Sequence, residues 1–211
     1  MASFSSLSTP YTVVRYSLVR NEHQPNSSPQ SDPPKLPRRE IILKSSGVAT
    51  LAAIFNFGGK KPSYLGVQKN PPSLALCPAT SNCVSTSEEI SDYTHYAPPW
   101  NYNPKDGRGN NQPVKREEAM AELVEVIVAT KLDKFIPRIV EKKDDYLRVE
   151  YESPILGLVD DVEFWFRPNS DKVEYRSAAR VGSTDFDANR KRIKALRLAM
   201  EKKGWESESI F

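Results

Sequence analysis

Strict alternation over residues 158–167 and 172–181, joined by Pro168-Asn169-Ser170-Asp171, is the feature that most limits what this chain can fold into. Side chains two apart share a face of a strand, so Val162, Phe164 and Phe166, then Val173, Tyr175, Ser177 and Ala179, are predicted to face one way. A turn this short makes the pair antiparallel. A second predicted hairpin precedes it: residues 139–142 turn at Lys143-Asp144-Asp145 into 146–152, which adds Leu147, Val149 and Tyr151 to the same face. Ser153-Pro154-Ile155-Leu156-Gly157 breaks the run between the hairpins.

Helical periodicity flanks the strands. Over 115–132, Ala119, Leu123, Val126, Ile127 and Thr130 share one face, and Glu117, Glu118, Glu122 and Glu125 lie toward the start, where the helix dipole favours anions. At the other end Ser183, Thr184 or Asp185 can cap a helix reaching about residue 203. Its inner face would carry Phe186, Asn189, Ile193, Leu196 and Met200, with Gly204 ending it. The expected fold over 114–205 is α+β in the order α-β-β-β-β-α. It has an antiparallel four-stranded sheet with two helices packed on one face, and residues 206–211 form a tail.

The opposite sheet face is charged. Arg148, Glu150, Glu152, Asp161, Glu163, Arg176 and Arg180 alternate in sign around Trp165, which predicts a solvated surface laced with cross-strand pairs of roughly 0.2–1 kcal/mol each. The alternative is that Trp165 anchors a partner or an anionic ligand. Asp160 breaks the pattern, because its parity puts a carboxylate on the apolar face, where it must find a donor. Asn189, or an arginine such as Arg180, Arg190 or Arg192, can supply one and lock the last strand-to-helix junction. The same junction of Asp160, Arg180 and Asn189 is the candidate small-molecule or enzymatic site. No Ser-His-Asp order, H-E-x-x-H or glycine-rich phosphate loop is present, and His95 is the one histidine after residue 60. Neither a catalytic residue nor a cofactor is expected.

Ahead of these elements, 61–113 reads as an irregular strap, punctuated by Pro62, Pro71-Pro72, Pro78, Pro98-Pro99, Pro104 and Pro113. Tyr93, Tyr96, Trp100 and Tyr102 argue that it docks on the core; the alternative leaves Trp100 partly exposed as a protein-docking patch. Cys77 and Cys83 are the only cysteines. Their spacing suits a short disulfide, with a redox-sensing pair and a metal site as the other readings.

Residues 1–36 are serine-rich, basic and poor in acids, the composition of a plastid transit peptide, and are not expected to fold. Arg38 and Arg39 then precede an apolar tract, 41–57, shorter and weaker than the ~20 residues of a membrane span. That arrangement reads as a twin-arginine signal over 37–60 addressed to the thylakoid lumen. An uncleaved tether at the membrane, or stromal retention, are the alternatives. The first 60 residues carry seven Lys/Arg and three Asp/Glu, leaving 23 against 24 in the remainder, so the overall +3 charge belongs to the leader. Without a basic surface, nucleic-acid binding is not expected.

Three blocks in order are familiar: Cys77 to Ser85, Leu156 to Phe164, and Arg176 to Asp185 running into Asn189-Arg190-Lys191-Arg192-Ile193. Together they resemble the domain of unknown function 1499 family in its plant plastid form, over roughly 65–204. Ser81 stands where that family usually has Pro. The resemblance implies no catalytic residues. The function expected is that of a non-enzymatic lumenal accessory or assembly factor. It would bind a protein partner at the thylakoid membrane through the charged sheet face and the Trp100 strap.

Overall fold

The structure is a computed structural model that describes residues 58–130 and 134–208. Residues 1–57, which include the stretch read as a transit peptide, Arg38, Arg39 and most of the stretch read as a twin-arginine signal, lie outside the described residues. Strands β1 (Gln68–Lys69) and β2 (Pro72–Ser73) form a two-stranded sheet of their own. In chain order there follow β3 (Cys83–Ser85), β4 (Trp100–Asn101), the single turn α1 (Arg108–Asn111) and helix α2 (Arg116–Ala129). Strands β5 (Ile136–Lys142), β6 (Tyr146–Glu152), β7 (Val159–Phe166) and β8 (Lys172–Ala179) then lead to helix α3 (Ala188–Glu201) and strand β9 (Glu206–Ser207).

The predicted meander is present, with β5 to β8 side by side and antiparallel. The expected four-stranded sheet with two helices is nevertheless too small. Among the described residues the main sheet has seven strands, and there are three helices besides the separate two-stranded sheet. The cause is the outer edge of β8. Its unpaired backbone groups need partners, and the strap supplies them. Cys83 to Ser85 pair with Ala178 to Arg176, Trp100 pairs with Val173, and β9 adds on beyond β4. Strands of two or three residues show no alternation of their own, so proline content alone made this stretch read as irregular.

One face of the sheet behaves as its periodicity predicts. Leu147, Val149, Tyr151, Val162, Phe164, Phe166, Val173 and Tyr175 meet Ala119, Leu123, Val126 and Ile127 of α2 and Ile193, Leu196 and Met200 of α3 in a single core. Trp100 is 1% exposed there, its ring centroid 4.6 Å from Tyr175 and 5.8 Å from Phe164. It staples the strap to the core and offers no surface to a partner. Trp205 and Tyr102 continue the same aromatic cluster. Gly204, at φ +88°, takes the left-handed turn after α3 and lets Trp205 fold back, its N–H reaching the Met200 carbonyl.

The other face is not solvated. Arg148, Glu150, Asp161, Glu163, Trp165 and Arg176 are all buried, the first three in a network of ion pairs and the last three beneath the chain before Cys77, while Glu152 is exposed. The Gly66 N–H donates to Glu163 Oε1 (2.6 Å) and Arg176 Nε donates to the Leu76 carbonyl (3.4 Å). The Arg176 guanidinium also sits 4.9 Å from the Tyr64 ring centroid. Leu74 and Val67 pack on Trp165 and Tyr146. The domain is therefore three layers deep: helices, sheet and strap.

Candidate functional site

At the start of β7 the helix-side face opens into a cavity of about 240 Å³. Phe135, Leu158, Val159, Val181, Phe186 and Ala188 give it apolar walls, and Asp160, Thr184 and Asp185 are the polar groups that reach it. Strand alternation puts Asp160 there, level with Ala179 of β8 and Tyr151 of β6. The segment between β8 and α3 forms one wall. It does not continue the helix upstream as expected, because Phe186 (φ 53°) and Asp187 (φ 64°) are both left-handed and α3 begins only at Ala188. Phe186 was predicted on the buried helix face; it is 84% exposed at the cavity mouth. A bulky residue in this conformation costs of order 1–3 kcal/mol, and such strain gathers at functional sites.

Behind the cavity a buried polar cluster fixes the junction. Asp160 Oδ2 accepts from Arg192 Nη2 at 2.7 Å, and Arg192 Nη1 donates to Asn189 Oδ1 at 2.7 Å. The Ser177 hydroxyl donates to Asn189 Oδ1 (2.5 Å). Asn189 Nδ2 in turn donates to the Asn82 carbonyl (3.1 Å) and to Asp185 Oδ2 (2.6 Å). The flat face of Arg192 lies 4.4 Å from the Tyr151 ring centroid, an orientation that packs the cation without exposing it. Burial pushes the Asp160 carboxyl above its ordinary pKa; the Arg192 guanidinium pulls against that shift.

The residues singled out by sequence thus part into four places. Asp160 and Asn189 meet, with Arg192 as the arginine that completes the lock. Arg180 does not join them: it projects from the opposite sheet face, where its Nε is 2.7 Å from Asp161 Oδ2 and its Nη2 2.8 Å from Asp161 Oδ1. Arg148 bridges the same Asp161 (3.1 Å) to Glu150 (3.0 Å), and Arg138 also pairs with Glu150. Burial opposes ionisation of Glu150, yet the Arg180 and Arg148 bonds hold its carboxyl below the usual range. Arg176 and Trp165 lie under the strap on that face, with Arg176 Nη1 3.8 Å from Glu163 Oε2 and Trp165 Nε1 donating to Asp145. Arg190 reaches the carbonyls of Tyr93 and Thr94 on the strap, and Trp100 is in the core.

Cys77 and Cys83 are disulfide-bonded. The loop they close lies against the cavity's outer wall: Asn82 Nδ2 donates to the Gly182 carbonyl (2.9 Å), and Ser81 Oγ to that of Ser183 (3.3 Å). His95 is held by Asp92 and faces the Thr80 carbonyl. Among the described residues no group of side chains is arranged to hold a metal ion, and no helix is long and apolar enough to cross a membrane. A larger groove, about 400 Å³, lies near Ile90, Tyr96 and Pro98; its charged side chains, Lys172, Glu206 and Glu208, are all exposed. The cavity residues Phe135, Leu158, Val181 and Phe186 were not legible as a site, since isolated apolar residues beside turns carry no motif.

No curated protein and no solved structure matches this chain. The family described as protein of unknown function (DUF1499) matches residues 73–200, a span that takes in the disulfide, the Asp160–Arg192 lock and every residue lining the cavity, and the chain belongs to that family.

Proposed function

We propose that this chain is a non-enzymatic binding protein whose site is the apolar cavity at the start of β7. The observation that carries the reading is the convergence there of a preformed hydrophobic recess, a buried carboxylate and a strained, exposed aromatic at the mouth. A structural role alone calls for Asp160 and Arg192 but not for an open cavity in front of them. At about 240 Å³ it is smaller than the roughly 300–1,000 Å³ of whole-ligand pockets, so it suits the apolar end of a molecule. Binding rather than chemistry is favoured because Asp160 and Asp185 are both engaged in holding the junction together.

The address is part of the same proposal: Arg38 and Arg39 take the protein to the thylakoid lumen, and its work is at the photosynthetic membrane. A protein partner there is the second reading, and one observation favours it. Val181 and Phe186 line the cavity, while exposed Ile136, Ile155 and Leu156 are close in sequence to lining residues Phe135 and Leu158. Exposed apolar side chains in the segments that lead into the cavity suit docking around an inserted side chain.

Titration of the isotope-labelled mature domain with benzyl alcohol tests the site. Amide signals of Val159, Ala179, Val181 and Ala188 are expected to move saturably, and Ala188→Phe, which fills the cavity, to abolish the movement with the fold intact. Shifts scattered over the surface, or unchanged by Ala188→Phe, would discard the cavity as the site.

A further inference from the structure

The polar lining of the cavity carries information about its ligand beyond size. Two of its three polar residues are aspartates, and an ionised carboxylate only accepts hydrogen bonds. No lysine or arginine lines the cavity. Arg192 lies behind Asp160: one nitrogen serves Asp160, another serves Ser177 and Asn189, its guanidinium packs on Tyr151, and its Nε is buried without a partner among the described residues, while the Lys191 ammonium donates to the Phe186 carbonyl (3.0 Å). Asp185 is already turned toward backbone donors, accepting from the N–H groups of Asp187 (3.0 Å) and Asn189 (2.9 Å). Asp160 is 4% exposed and meets Arg192 through Oδ2 alone. With about four lone-pair sites on a carboxylate, it retains capacity to accept from a ligand.

We propose, building on the cavity as the binding site, that it selects an apolar group carrying a hydrogen-bond donor, a hydroxyl or an ammonium, and rejects carboxylates and other anions. The donor points at Asp160, with Thr184 beside it at the mouth, and the apolar body fills the space between Leu158, Val181 and Phe186. An engineered cavity of roughly 150 Å³ holds a benzene ring, so a body of one to two rings, or a branched chain of similar bulk, fits here. An anionic head would meet the carboxylates of Asp160 and Asp185, with Arg192 already paired to Asp160 and Lys191 tied to the Phe186 carbonyl. Burying it unpaired is the arrangement that proteins avoid. Free fatty acids and phosphate esters are therefore excluded as ligands, while alcohols and amines with the same hydrocarbon are admitted.

Three probes that share one hydrocarbon and differ in head group separate the possibilities: naphthyl ethanol, naphthyl ethylamine and the carboxylate anion of naphthylacetic acid, titrated into the mature domain by calorimetry and amide shifts. The alcohol and the amine are expected to bind about tenfold or more tighter than the carboxylate, the size of one charge-assisted hydrogen bond. Asp160→Asn is expected to weaken the amine about tenfold and to narrow its margin over the carboxylate. Because that variant disturbs the Arg192 lock, Asp185→Asn gives a second reading: it leaves the Asp160–Arg192 pair in place, keeps one of the two oxygens that accept from the Asp187 and Asn189 N–H groups, and should narrow the same margin. Equal binding of all three probes at the cavity would overturn the donor selectivity and leave the cavity reading standing. Binding of none would overturn both. Tighter binding of the carboxylate would overturn the selectivity outright.

Discussion

Asp160 and Arg192 form a buried ion pair, and what such a pair contributes depends on how it is broken. Removing one partner strands a charge in the interior, which costs about 3–5 kcal/mol, whereas replacing both with apolar groups of similar volume is often neutral. Asp160→Ala and Arg192→Leu are each expected to destabilise by that amount, and Asp160→Leu with Arg192→Leu by clearly less than the sum. Additive losses in urea unfolding would show that the two side chains act separately. Glu163 makes a different prediction. Burial raises its carboxyl pKa, against the hydrogen bonds from Tyr146 and the Gly66 N–H, so folding favours its protonated form. Stability from this group therefore improves as pH falls from the raised value toward the ordinary glutamate value of about 4.3. Glu150, held low, has the opposite sign, and its contribution is lost as pH falls below the ordinary value. The melting temperature is expected to climb on mild acidification and drop in stronger acid. Asp160 and Glu174, also raised by burial, add to the climb, so Glu163→Gln should reduce it and leave the drop, and an unchanged profile would assign the climb to those two groups.

Among the elements, the strand pair β3–β8 links redox state to the cavity. The disulfide spans a sequence separation of 6, so the loop-entropy account gives it about 2 kcal/mol, too little to decide whether the domain folds. Its larger effect should be local. Asn82, next to Cys83, holds both Asn189 and Gly182, and the Ala179 N–H donates to the Asn82 carbonyl. Reduction is expected to lower stability by about that amount and to displace the amide signals of Gly182 and Asn189, compared in spectra with and without a phosphine reductant. Changes confined to the 77–88 loop would show that the bridge stops short of the cavity.

For the molecule as a whole, the decisive feature is the third layer. Part of a face carrying arginines and carboxylates is buried because the chain ahead of Cys77 closes over it, bonding Glu163 through the Gly66 N–H and Arg176 through the Leu76 carbonyl and Tyr64 hydroxyl, with Leu74 (1% exposed) seated beside Trp165. Leu74→Ala is expected to cost about 2–5 kcal/mol. It should also speed amide exchange at Val67 and Gly66 ahead of the helix side of the sheet. Uniform acceleration through α2 and α3 would mean instead that strap and core open as one unit.

Local pattern determined much here. Alternation at Leu147 to Tyr151 and Val162 to Phe166 identified the core strands and the face they bury, and the periodicity of Ala119 to Ile127 identified the helix that covers them. The parity of Asp160 marked it as a carboxylate in need of a donor. These are consequences of backbone geometry, which every residue reports within a turn or two of chain. Tertiary structure alone decided the rest. Arg176 and Glu163 read as solvent-facing because their cover comes from Tyr64 and Gly66, 112 and 97 residues away in sequence. β3 and β4 exist only because β8 has an edge to pair with, and β9 because β4 offers the next one. Phe186 left the helix for the mouth of a cavity that no single segment encloses. Whether a charge is buried, an edge is paired or a recess is closed depends on which distant segment arrives, and no local periodicity records that.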